Sequence, residues 1–234
     1  MPARVHALLV VRPDGREAVD IRLQRTLTAL RAQTRPVDAL TIVLCGADAQ
    51  AQDVARASSA EGVISADRST SIADALALGS HRLDGEAVWL LTQDTTPDPD
   101  ALARLAGALE TAPSLAFAAP KLVRSDERDR IASLGVSMTR LGRTVGLADG
   151  ELDQGQYDGS EDVLGTDIRG VLVRADAWRA LGGVDRALAG ADEGLDLGIR
   201  ARLRGGRIVL ASTAVIAVSP ASGAVMGRAY AERT

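Results

Sequence analysis

One acid in this chain stands where α/β proteins handle phosphates. Asp94 lies in Thr92-Gln93-Asp94-Thr95-Thr96-Pro97, directly after the apolar run Ala87-Val88-Trp89-Leu90-Leu91. A carboxylate at the carboxyl end of a buried strand can hold a divalent cation, and the cation can hold a phosphate. The neighbouring position, where a second acid would share that cation, is Gln93. An amide oxygen can ligate a hard cation but brings no charge. Mg2+ is held by as few as one or two carboxylates plus substrate phosphates, so Asp94 describes a minimal metal site. Arg12 and Asp14 follow another apolar run, Val5 to Val11, and are placed to reach a nucleotide. Pro13-Asp14-Gly15 reads equally well as a turn.

Such residues need a scaffold, and the first half of the chain spells one. Val5–Val11, Ala39–Leu44, Gly62–Ser65 and Ala87–Leu91 read as strands. Between them, helices are expected around Leu23, Leu27 and Leu30, over Ala49–Ser58, and over Ser71–Gly79. A further helix is expected from Asp98 to Glu110, with Asp98 as cap and Pro99 at its first position. Repeated strand–helix units imply an α/β fold whose mixed, mostly parallel central sheet carries helices on both faces. Ligands then bind outside the carboxyl ends of the strands. The second half is less regular. Leu115–Ala119, Ser133–Met138, Val171–Val173, Ile208–Leu210 and Thr213–Val218 read as strands. Ala175–Leu181 and Glu193–Leu203 read as helices, and Lys121–Arg130 reads as a charged loop.

Composition narrows the function. The chain has 234 residues, enough for one large domain with a well-buried core. Aromatics make up only 2%, so Leu, Val, Ile and Ala must build that core. The net charge is −4 and arginines are dispersed, which excludes nucleic acid as the main partner. One cysteine, Cys45, and two histidines, His6 and His81, exclude a disulfide framework and a His-based metal site. No run reaches the ~20 apolar residues that span a bilayer. The start has no signal-peptide shape, so a cytoplasmic location is expected. The domain is expected to occupy residues 1–222, with 223–234 as a tail or linker.

Four segments together resemble a known family. They are Leu27 to Pro36, Trp89 to Leu102, Asp153 to Gly159, and Val173 to Asp185 with Gly194 to Arg200 behind it. The chain resembles a family 2 glycosyltransferase of the GT-A fold. The likeness is to the actinobacterial type, in which such a domain precedes a membrane part. The resemblance implies sugar transfer, with inversion, from a nucleotide-diphospho-sugar to a hydroxyl of an acceptor glycan or lipid-linked sugar. It implies Mg2+ or Mn2+ at the diphosphate, a role in cell-envelope polysaccharide synthesis, and association with a membrane protein or domain at the inner face of the cell membrane.

Carried over residue by residue, the resemblance makes Asp94 the metal ligand and places Gln93, Arg12 and Asp14 at the nucleotide-sugar. The catalytic base falls on Glu193, or on Asp192 in the alternative register. Both acids also suit a helix N-terminus. Asp196 lies one turn further on, where it would support the site or Arg200. Trp178 falls on the acceptor side, although its type equally suits the core. Three positions depart from the family pattern. Leu44 replaces a nucleotide-recognising acid, Gln93 replaces an acid, and Val218 or Ser219 stands where many relatives carry a metal-binding His. These departures leave a second expectation open: a catalytically degenerate member of the fold acting as a scaffold or regulatory partner.

Overall fold

The structure, a computed structural model, describes residues 3–15, 17–159, 161–188 and 192–219. The expected tail, 223–234, lies outside the described residues. Four parallel strands form one half of the main sheet: β1 (Val5–Val11), β2 (Ala39–Cys45), β3 (Gly62–Ala66) and β4 (Ala87–Thr92), in the order β4-β1-β2-β3. Every residue of β1 and β2 is buried, as strands covered on both faces must be. The crossovers are α1 (Val19–Arg31), α2 (Ala49–Arg56) and α3 (Ile72–Ser80).

Beyond β4 the chain forms β5 (Thr95–Pro97), α4 (Ala101–Glu110), β6 (Leu115–Arg124), β7 (Ile131–Ser133), β8 (Val136–Met138), β9 (Thr144–Gly146) and β10 (Glu161–Val163). It ends with β11 (Leu172–Arg174), α5 (Ala175–Leu181), α6 (Glu193–Arg202) and β12 (Arg207–Val218). The main sheet runs β10-β12-β6-β11-β4-β1-β2-β3, with β5 on β12 and β7 on β6. Strand β11 is antiparallel to both of its neighbours, β6 and β4. One core lies under α1, α2 and α4, where Leu23, Ala51 and Leu102 are buried. The other lies under α3, α5 and α6, where Leu76, Trp178 and Leu197 are buried. The expected mixed, mostly parallel sheet with helices on both faces is therefore present. Among the described residues no helix is long and apolar enough to cross a membrane.

Thr26 of α1 and Gln33 just beyond that helix fix the segment that follows β4. The Thr26 hydroxyl bonds to the carbonyls of Gln93 at 3.1 Å and Thr95 at 2.8 Å. Gln33 donates to the Asp98 carbonyl at 2.8 Å and accepts from the Leu102 N–H at 3.0 Å. It thereby satisfies an orphan donor at the start of α4.

Several expectations are corrected. Helix α4 begins at Ala101, not beside Asp98 and Pro99. Thr95–Pro97 pairs with β12 instead, and the Asp98 carboxylate is held by Arg128 at 2.5 Å. Lys121 does not open a charged loop; it lies inside β6, 3% exposed. Ile208–Leu210 and Thr213–Val218 are one strand with a register shift between Ala211 and Val215. Ser133–Met138 is two short strands, broken at Gly135, whose φ is +74°.

Candidate functional site

The carboxyl ends of β1 and β4 open onto a cavity of about 330 Å³, inside the roughly 300–1,000 Å³ of small-molecule sites. Its wall carries Arg12, Asp14, Arg22, Gln93, Asp94 and Arg169. All four residues expected at the nucleotide-sugar are thus brought together, and two arginines join them.

Gln93 lines the cavity but its amide is already committed. It accepts from the Arg12 N–H at 3.1 Å and donates to the Arg12 carbonyl at 2.5 Å. The side chain braces the turn after β1 much as a strand neighbour would. Asp14 is joined to Arg22 at 2.6 Å. Arg22 is 3% exposed, and its Nε has no hydrogen-bond partner among the described residues.

Asp94 is held from both sides. One carboxylate oxygen accepts from the Thr92 hydroxyl, and the other accepts from Arg169 Nη1 at 3.1 Å. Arg169 is in turn clamped by Asp167, through Nη2 at 2.7 Å and Nε at 3.1 Å. Burial would lower the pKa of Arg169, but Asp167 and then Asp94 outweigh it and raise the value, so the guanidinium stays charged. Burial would raise the pKa of Asp167, but Arg169 outweighs it and holds the carboxyl below the usual carboxylate range.

The backbone explains this meeting. β11 runs antiparallel to β4, so the residues before Leu172 pass alongside the residues after Trp89. Gly170 donates to the Leu90 carbonyl at 2.7 Å, and Trp89 Nε1 donates to the Gly170 carbonyl at 2.9 Å. Gly170 has φ +79°, and a Cβ there would lie 2.4 Å from Ile216 Cδ1. Glycine is the residue that fits both conditions.

These groups do not fit a divalent cation as they stand. Both Asp94 oxygens are engaged, and the Gln93 amide is spent on Arg12. The end of β12, where the resemblance implied a His, presents buried Val218 and the Ser219 N–H, which bonds to the Asp94 carbonyl oxygen at 3.3 Å. Among the described residues no group of three or more His, Cys, Asp or Glu is arranged to hold a metal. Leu44 is core, 2% exposed, and Asp48 caps α2 through the Ala51 N–H at 2.8 Å.

Of the remaining expected site residues, Asp192, Glu193 and Asp196 lie at or near the start of α6 and Trp178 lies in α5. Gly194 packs so closely on the Thr166 carbonyl that a Cβ would stand 1.5 Å from it. Asp192 and Glu193 therefore sit beside the Thr166–Gly170 segment that carries Asp167 and Arg169, although neither lines the cavity. Glu193 is 8% exposed. Asp192 is exposed and adopts φ +57°, the only non-glycine residue described with positive φ. Its carboxylate accepts from the Thr144 hydroxyl at 2.7 Å. Asp196 pairs with Arg200 at 2.5 Å, and Arg200 reaches the carbonyls of Leu181 and Gly183, which ties α6 to the end of α5. Trp178 is 2% exposed and donates Nε1 to the Ser80 hydroxyl at 2.9 Å. Its ring is part of the interior between α5 and α3 and offers no face to an acceptor.

Asp167, Arg169 and Arg22 were not legible as site residues. The one signal was an acid and a base two residues apart, followed by a glycine and an apolar strand, in Asp167-Ile168-Arg169-Gly170.

The fold is shared with GT-A glycosyltransferases. The crystal structure of GalNAc-T7 with UDP, GalNAc and Mn2+ superposes with a TM-score of 0.75 at 10% identity, covering 96% of this chain and 44% of that one. The mannosyltransferase PcManGT from Pyrobaculum calidifontis, in complex with GDP-Man and Mn2+, superposes at 0.64 and 14% identity, with 94% and 57% covered. TarS of S. aureus superposes at 0.64 and 13% identity, with 92% and 36% covered. The chain thus spans well under two thirds of each neighbour's length. No curated protein matches the sequence. A family model described as glycosyltransferase like family 2 matches residues 12–227. The chain belongs to that family.

Proposed function

We propose that this domain transfers a sugar from a nucleotide-diphospho-sugar to an acceptor hydroxyl, with inversion. The observation that carries the reading is the charged cavity at the carboxyl ends of β1 and β4, in a chain of family 2. Its arginines suit a diphosphate, whose charge grows as the bond to the sugar breaks. The acceptor oxygen attacks the anomeric carbon from the face opposite the diphosphate, the old bond breaks, and the nucleoside diphosphate leaves. We assign the acceptor's proton to Asp192. Its carboxylate is exposed and oriented by Thr144, and its left-handed backbone is the kind of strain that collects at functional sites. Buried Glu193 is the other candidate for this proton.

The second reading, a degenerate domain that binds or scaffolds without transfer, is favoured by one observation. The Asp94 carboxylate and the Gln93 amide, the groups that would meet a metal, are both engaged by the protein itself.

Titration with UDP, GDP and dTDP, read by melting temperature, tests the binding both readings need. A ligand of the native state at a hundredfold excess over its Kd adds ~2.7 kcal/mol. One nucleotide is expected to raise the melting temperature. No shift with any of them at millimolar concentration refutes the transferase reading. Binding without release of nucleoside diphosphate from any matching nucleotide-sugar moves the balance to the second reading.

A further inference from the structure

We infer that Arg169 takes the place of the divalent cation, so that this chain binds the diphosphate of its nucleotide ligand without a metal. The inference rests on the transferase reading of the same cavity and deepens it.

Three observations lead there. First, Arg169 already sits on the carboxylate expected to hold the cation, with Nη1 on Asp94 at 3.1 Å and Nη2 on Asp167 at 2.7 Å. A divalent ion on Asp94 would have to evict a guanidinium that Asp167 keeps nearby, so the two cations compete for one carboxylate. Second, the guanidinium has capacity to spare. It has five N–H donors. Those on Nε, one on Nη2 and one on Nη1 serve Asp167 and Asp94. This leaves two without a protein partner among the described residues. A planar fork with two free donors matches two phosphate oxygens. Third, Arg22 lines the same cavity, is 3% exposed, and has an Nε without a hydrogen-bond partner among the described residues. A buried donor left open in this way calls for an anion.

The clamp also explains why the arginine is suited to the task. Its position is set by a bidentate carboxylate, by the fixed Gly170 turn and by the Trp89 indole. An anion arriving there meets donors that are already ordered, which lowers the cost of binding.

The test uses the full chain and calorimetric titration with UDP, GDP and dTDP, once in EDTA and once in Mn2+. The affinity of the nucleotide that binds is expected to differ by less than about threefold between the two, well under the tenfold that 1.4 kcal/mol represents. Arg169→Ala is expected to weaken it about ten- to hundredfold, the effect of losing a hydrogen bond to a charged group. Arg169→Lys keeps the charge but lacks the fork, and should fall between. The EDTA comparison on the unaltered protein needs no variant, so a variant that fails to fold does not remove the test. Binding only in Mn2+ overturns the inference and leaves the transferase reading standing. Binding in neither condition overturns both.

Discussion

Lys121→Met should cost this domain more than any other single charge removal outside the cavity. Lys121 is the chain's only lysine. It is 3% exposed within β6, and its Nζ meets both oxygens of Asp153 at 2.9 Å and Asp158 at 2.7 Å. The two acids belong to the polar loop 151–159, so one buried ammonium latches that loop onto the sheet. Methionine keeps the apolar stem and removes the charge. Breaking a buried ion pair from one side costs ~3–5 kcal/mol. The acids can partly turn to water, since their side chains are 19% and 48% exposed, so we take a loss of about 2–3 kcal/mol. At 2–4 °C per kcal/mol for a chain of this size, the melting temperature should fall by about 5–10 °C. Circular dichroism melting measures this, and limited proteolysis should show new cleavage within 151–159. Asp153→Asn should cost less than Lys121→Met, and Asp158→Asn least, following exposure. There is also an alkaline signature. Burial would lower the pKa of Lys121, but Asp158 and Asp153 outweigh it and raise it above the usual lysine value of 10.5. The stabilisation is thus full below about pH 10.5 and is lost as pH rises through the higher folded value. The wild type and the Met variant should converge there. A Lys121→Met melting temperature within about a degree of wild type would show that the latch contributes nothing.

Gln93→Leu removes both bonds to the Arg12 backbone. A buried unsatisfied group costs ~1–3 kcal/mol, so a comparable loss of stability is expected by urea unfolding, together with weaker nucleotide binding as the Arg12–Asp14 turn loosens. An unchanged stability would mean that the brace is idle. Asp149→Asn tests a pH effect of opposite sign to that of Asp167. Asp149 is an exposed residue, but its carboxylate folds back onto Gly146, where a Cβ would lie 2.1 Å from Oδ2. Burial of that carboxyl and the nearby Asp167 charge push its pKa up to about 6. The folded state favours the neutral acid, so stability falls as pH rises from the unfolded value of 3.8 through about 6. The Asn variant should gain melting temperature near pH 7.5 and gain little near pH 4.5. An equal change at both values refutes the assignment.

The sheet was legible because its strands are buried on both faces. Val5–Val11 and Ala39–Leu44 are short apolar runs interrupted only by His6 and Thr41, and their length and the turn signals that bound them suit strands covered on both faces. The helix expected from Ser71 does start there, with the Ser71 hydroxyl accepting from the Asp74 N–H at 3.0 Å. Long-range pairing was not legible. Nothing local tells that Thr95–Pro97 becomes a strand, because its partner Ile216–Val218 lies more than a hundred residues away. Asp98-Pro99 carries a good helix start signal, yet β5 and the Arg128 ion pair take those residues first. Lys121 looked like the edge of a loop because a lysine in a central strand is expected only when its charge is paired, and its partners lie in a loop of the second half. The cavity's location followed from the strand–helix rhythm. Its cation did not, because Arg169 reaches Asp94 only through the antiparallel insertion of β11.

That insertion bears on two of the three departures from the family pattern, those at 93 and 218. An acid at position 93 would place a second negative charge near Asp94 and Asp167, and only a cation as strong as a divalent metal would offset all three. Glutamine removes that demand and supplies a donor as well as an acceptor, which the Arg12 backbone needs and a carboxylate cannot give. A His at the end of β12 would add a metal ligand beside an arginine that competes for the same carboxylate. Val218 instead pairs with Thr95 and closes the apolar side of the segment. With a guanidinium fixed between Asp94 and Asp167, each of these ligands becomes superfluous in turn. If Arg169 replaces the bound cation, as inferred above, Gln93 and Val218 are both consistent with one exchange, a built-in cation for a bound one.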